Sequence, residues 1–253
     1  MGYGASMQLP TMRGLIARRL LVNYRVEPQT LRSLLPSPFR PKLVSGFAIA
    51  GICLIRLEQI RPDGLPSFVG VASENAAHRI AVEWTDALGS PHEGVYIPRR
   101  DTSSRLNTVV GGRLFPGMHH HADFRTTTQP DHLQIAFTSD DGTVAVSVIG
   151  QTARSLPSTS LFPSLADASR FFEGGSIGYS TARNIHSLDG LELRSQGWHV
   201  EPFGVTHVTS SFFENTTQFP AGTVTFDCAL LMRGIAHTWH RREPLPIACS
   251  EAG

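Results

Sequence analysis

Residues 46–60, GFAIAGICLIRLEQI, constrain the fold more than any other stretch. The run is apolar at first and alternates in its second half, the pattern of a long strand whose faces are mostly buried. Similar β-compatible segments recur along the chain: Arg18–Val26, Ala77–Ala87, Gly94–Pro98, and 119–128, 132–139, 143–152, 175–183, 189–200, 203–213 and 222–233. Asp140-Asp141-Gly142, Asp189-Gly190 and Pro220-Ala221-Gly222 mark turns between them. Three short helices interrupt the strands. One starts at Pro28 and stops at Leu35, before Pro36. A second runs from Thr102 to Phe115 with Asp101 as N-cap. The third covers Pro163–Glu173 and ends at Gly174. Many strands with few helices predict a mostly β fold (α+β by class), a closed or strongly curved, mostly antiparallel, β-barrel-like sheet enclosing one small-molecule cavity. No linker divides the chain, so a single domain is expected over 1–253, with a core at about 13–242 and tails at 1–12 and 243–253.

The net charge of +1 carries no global field toward nucleic acid or an anionic membrane. No basic-then-apolar leader or bilayer-length apolar run is present, so a cytoplasmic protein is expected. No glycine-rich phosphate loop, dinucleotide fingerprint or zinc-protease motif appears, and no cofactor is implied. Cys53, Cys228 and Cys249 lie far apart without CxxC spacing, against a disulfide framework. Among the chain's 22 basic residues Lys42 is the one lysine, so amine chemistry has few places to occur.

The sharpest chemical signal is Pro98-Arg99-Arg100-Asp101. A helix starting at Thr102 would offer unpaired backbone N–H groups beside two guanidinium groups, a combination that holds carboxylates. The plain alternative leaves one arginine in solvent and pairs the other with Glu93 or Glu74.

Residues 18–38, RRLLVNYRVEPQTLRSLLPSP, together with Ile97-Pro98-Arg99-Arg100, resemble the acetoacetate-decarboxylase-like superfamily. Residues 171–179 (FFEGGSIGY), 190–202 (GLELRSQGWHVEP), 210–214 (SSFFE) and 226–240 (FDCALLMRGIAHTWH) resemble its YqjF-like branch of uncharacterised bacterial proteins. The resemblance implies a conical β-structure around a small cavity. Arg99 and Arg100 stand where decarboxylases of this superfamily carry two lysines, the first of which forms a Schiff base. A guanidinium forms no iminium, so the resemblance does not bring that mechanism with it, and Lys42 lies in an unrelated segment. It does imply a cationic cavity floor to which Arg18 or Arg19 adds, and an acidic side chain at Glu74. Tyr96 and Trp84 are then expected to touch substrate.

Eleven histidines supply acid–base or metal-binding candidates. His119 and His121 share one strand face, as do His199 and Glu201, and a meeting of the two pairs would form a metal site. Without metal, His121 or Glu74 moves the proton. The expected partner is a small organic acid or ketone. The reading is lyase- or cyclase-type chemistry on an organic acid or β-dicarbonyl-type compound, with a non-catalytic binder or sensor as the alternative. A homo-oligomer is left open.

Overall fold

The computed structural model describes residues 11–105, 117–181 and 186–247. The run at 46–60 becomes β4 (Phe47–Pro62), paired antiparallel with β1 (Met12–Val26) on one edge and β5 (Val71–Thr85) on the other. Its first half lacks alternation for a physical reason. Ala48, Ala50, Ile52 and Leu54 pack into one apolar cluster, and Ile49, Cys53 and Ile55 pack into another on the opposite face.

β13 (Val224–Pro246) continues the wall beyond β1, and β6 (Pro91–Thr102) continues it beyond β5. The wall then closes twice. β10 (Ile177–Thr181) lies parallel to β6, and β11 (Ser187–Ser195) joins β10 to β13, completing one ring of strands. β7 (His119–Thr128), β8 (His132–Ser139), β9 (Ala145–Thr152) and β12 (Glu201–Ser210) run from β6 back to β13 and complete a second. The short β2 (Arg40–Pro41) and β3 (Leu43–Val44) pair with β5 and β4. All described strands therefore belong to one sheet, mostly antiparallel as expected.

Two cores follow from this wall. Leu20, Val22, Ile52 and Leu54 pack with Ile135, Val148 and Phe203 from β8, β9 and β12. On the other face, Leu21, Ile49 and Ile55 pack with Leu193 of β11 and with Phe172. Phe172 comes from the helix at Leu165–Glu173. It follows the helix α1 (Pro28–Arg32) in chain order and is called α2 here. The Ser164 side chain caps α2 by accepting the Asp167 N–H (3.1 Å), and Gly174 ends it.

Three expectations change. α1 stops at Arg32 rather than Leu35. β13 runs on to Pro246, because its second half is held by β1 and β11, so residues from 243 are not all tail. Asp101 and Thr102 end strand β6 instead of opening a helix; Arg105 is helical, and the part of the expected helix from 106 to 115 lies outside the described residues. No described helix is long and apolar enough to cross a membrane.

Candidate active site

The site begins with a proline. In the β5–β6 ladder His78 faces Arg99 and Ile80 faces Tyr96, so Arg79 alone opposes both Ile97 and Pro98. Proline has no N–H to give the ladder, and the extra residue bulges. A bulge reverses the alternation that follows it. Val95 and Ile97 line a cavity, and after the bulge so does Arg100, while Arg99 turns to the opposite face. Pro98 thus selects which of the two adjacent arginines enters the molecule.

The cavity measures about 110 Å³ and is bounded by β1, β4, β5, β6, β11 and the end of α2. Its walls are largely apolar, yet Arg19 of β1, Arg79 of β5 and Arg100 of β6 all border it. Arg19 Nε donates to Cys53 Sγ at 3.3 Å. Arg79 Nη2 donates to Asn23 Oδ1 at 2.5 Å, its guanidinium lies 4.9 Å from the Phe172 ring centre, and its buried Nε has no hydrogen-bond partner. Arg100 Nε donates to Ser180 Oγ at 3.1 Å. None of the three pairs with a carboxylate among the described residues. The internal stretches outside the description, 106–116 and 182–185, contain no Asp or Glu in their sequence. Burial pushes the Arg79 and Arg100 guanidinium groups down to about 10, so both remain charged at neutral pH. Arg100 is only half-buried by area because it borders the void.

His119 opens β7 at the edge of the same cavity. Burial, then the charge of Arg100, holds its imidazole down at about 3, so it is neutral in the range where Arg100 is cationic. Gly117 makes this proximity feasible. Its φ is +86°, and a side chain there would sit 2.7 Å from Ser180 Cβ and crowd Arg100.

Other expected site residues lie elsewhere. Arg99 forms a structural cluster with Asp101 (2.8 Å), Asp141 (3.0 Å) and Thr143, on the far side of β6. Asp101 borders the cavity but its carboxylate belongs to Arg99. Arg18 pairs with Glu74 at 2.6 Å, and neither lines the cavity, so Arg19 is the β1 arginine that does. His121 contacts Asp140 at 2.9 Å and does not line the cavity. Tyr96 and Trp84 belong to the packed core on the other face, where both contact Phe39, and Tyr96 Oη lies 3.0 Å from Thr181 Oγ1. They do not border the cavity because both precede the bulge on the face opposite Val95 and Ile97.

The four-residue metal arrangement is not formed. His119 is at the cavity, His121 is with Asp140, His199 is exposed, and Glu201 pairs with Arg233 at 3.0 Å. The one group of three metal-capable side chains among the described residues is His121, Asp123 and Asp140, toward the surface.

Sequence reasoning missed Arg79. The signal was present: Arg79 stands between Ala77 and Ala81 on its strand face, a charge flanked by small apolar residues. It also singled out His121 rather than His119, the histidine that borders the cavity two residues earlier on the same strand.

The profile of the family DUF2071, described as an uncharacterized conserved protein, matches residues 16–224. No curated protein matches the sequence. Several solved structures share the fold at low identity. An acetoacetate decarboxylase from Legionella pneumophila has 12% identity and a TM-score of 0.60, over 100% of this chain and 93% of that one. The enduracididine biosynthesis enzyme MppR, complexed with pyruvate, has 12% identity and a TM-score of 0.59, over 98% and 94%. An acetoacetate decarboxylase-like enzyme from Sphingomonas wittichii has 12% identity and a TM-score of 0.51, over 92% of each chain. At such identity the likeness concerns the fold.

Proposed function

Because this chain belongs to the DUF2071 family, the YqjF-like branch of the acetoacetate-decarboxylase-like fold, we propose that it is an enzyme acting on a small organic acid or β-dicarbonyl-type compound by acid–base chemistry of lyase or cyclase type. The observation that carries this reading is the cavity itself, with three guanidinium groups that have no carboxylate partner among the described residues, beside a neutral histidine. Isolated charges are costly to bury, and an arriving anion offsets that cost. A carboxylate docks on a guanidinium by paired N–H donors. Neutral His119 takes a proton from the carbon beside the substrate carbonyl, and the negative charge moves to the carbonyl oxygen. Arg100, on the same edge of the cavity, stabilises that enolate by fixed charge. The histidine then returns its proton to carbon or to a leaving group.

No Schiff base enters this scheme. Lys42 is engaged by Glu93 at 2.5 Å and lies 4.6 Å from the Phe171 ring centre, in a smaller side pocket rather than the main cavity. Borohydride treatment with a 3-oxo acid should therefore leave the lysine unmodified.

The direct test follows deuterium exchange at the acidic carbon of acetoacetate and acetylacetone by NMR. The protein should accelerate exchange over buffer, and His119→Gln should reduce the acceleration by roughly 10²–10⁴-fold, the usual contribution of general acid–base catalysis. Binding without exchange would make the protein a binder instead. Neither binding nor exchange with any small anion would remove the proposal.

A further inference from the structure

The cations of the cavity divide into two centres. Arg19 and Arg79 border both the main cavity and the side pocket, so they stand at the passage between the two. Arg100 borders the main cavity only, beside His119. Strand register and hydrogen bonds separate Arg79 from Arg100, since Arg79 reaches Asn23 of β1 and Arg100 reaches Ser180 of β10. Arg100 is level with Ala77 on β5, whereas Arg79 lies two residues further along that strand. At about 3.3 Å per residue that offset is about 7 Å of strand. Arg19 of β1 is level, through Ile55 of β4, with Asn75, and what joins it to Arg79 is the side pocket that both border and Arg100 does not. After burial and Cys53, the next influence on Arg79 is the charge of Arg19, so these two guanidinium groups feel one another. Arg79 is only 5% exposed, and its Nε is buried without a partner, an unmet donor at the passage.

Resting on the enzyme reading above, we infer that the substrate is a dianion, a small dicarboxylic acid with an oxo or enolisable centre between its acidic groups. One carboxylate sits at Arg19 and Arg79 and serves only for binding. The second acidic group, or the enolate formed next to it, sits at Arg100 within reach of His119. A monoanion leaves one of the two centres without a counter-charge in a mostly apolar cavity, and desolvated cations without counter-charge are strongly unfavourable. A dianion neutralises both. Selectivity for charge count thus arises from Arg79 and Arg19, while chemistry stays at the β6 end.

The experiment compares dicarboxylates with their own half-esters, which change the charge and little else. Succinate, glutarate and adipate, each against its monomethyl ester, are titrated into the intact chain by calorimetry at pH 7.5 and constant ionic strength. The expected result is at least 30-fold tighter binding of the diacid for the chain length that spans the two centres. Arg79→Met should bring that ratio close to one. Equal affinity of diacid and half-ester in the unmodified protein overturns the dianion inference and leaves the organic-acid reading standing. Failure of every anion to bind removes both. Because the first comparison needs no variant, a poorly folding Arg79→Met cannot hide the answer.

Discussion

On the β8–β9 side of the wall, Ile135, Val148 and Phe203 fill the space against Leu20, Val22 and Ile52 with apolar atoms. On the α2 side, the same strands β1, β4, β5 and β6 surround a void bordered by Arg19, Arg79 and Arg100. One backbone therefore carries two opposite designs. Close packing gains free energy from every methylene, whereas buried guanidinium groups lose it until an anion arrives. The contrast teaches that the first face supplies the stability which the second gives up for recognition. It also makes opposite predictions for substitutions on the two faces.

The largest effect is expected on the packed side. Phe203 is 2% exposed, and its ring touches the backbone position of Gly150, which has no side chain to yield. Phe203→Ala should destabilise the protein by about 3–5 kcal/mol in urea unfolding, since the cavity it leaves cannot collapse against a rigid sheet. A loss below about 1 kcal/mol would mean that this side is not the source of stability.

On the cavity side the sign should reverse. Arg100→Met removes a buried cation and one hydrogen bond to Ser180 and keeps most of the volume. A gain of about 1–3 kcal/mol is expected, the range seen when uncompensated buried charges give way to apolar side chains. Anion binding should weaken at least tenfold in the same variant, read by calorimetry. A less stable Arg100→Met would show that the guanidinium has a structural partner, and the comparison between the faces would fail.

How far the sequence foretold these faces depends on periodicity. The apolar run at 46–60, the alternating segment from 77 and the strands at 119–128 and 132–139 were legible because side-chain pattern and backbone pairing agree there. The second half of β13 was not legible. Its Arg241, Arg242 and Glu243 are exposed, and only pairing with β11 and β1 explains the strand. The paired arginines after Pro98 were recognised as chemically significant, and one of them does enter the cavity. Which one could not be read, because a bulge changes the parity of every later residue and depends on the partner strand. Tyr96 and Trp84, expected at the cavity, lie on the packed face, and since both faces of these strands are apolar the pattern does not tell one from the other. The ion pairs Arg18–Glu74 and Arg99–Asp141 join residues far apart in sequence, and no local pattern announces them.

Two histidines offer the smallest but most discriminating comparison. His78 lies in the packed face, fully buried, 4.4 Å from Phe212 between ring centres, and neither of its nitrogens has a hydrogen-bond partner. Burial, and then the charge of Arg99, depresses it to about 3. The unfolded chain takes up this proton near pH 6.5, the ordinary imidazole value, while the folded chain refuses it down to about 3. Stability from this group is therefore complete above pH 6.5 and falls as pH drops through the interval, by about 1.4 kcal/mol per pH unit. His78→Phe should remove that part of the slope and add about 1 kcal/mol at neutral pH, because an unsatisfied buried donor disappears while ring packing remains. His119 differs in one respect: Arg100 contributes to its depression, and Arg100 is open to ligand. Saturating the protein with a bound dicarboxylate should raise the His119 pKa, followed by NMR of the imidazole carbons, and leave His78 where it was. If both histidines moved together, or neither did, the two faces would not be electrostatically separate, and His119 would lose its claim to sit beside the bound anion.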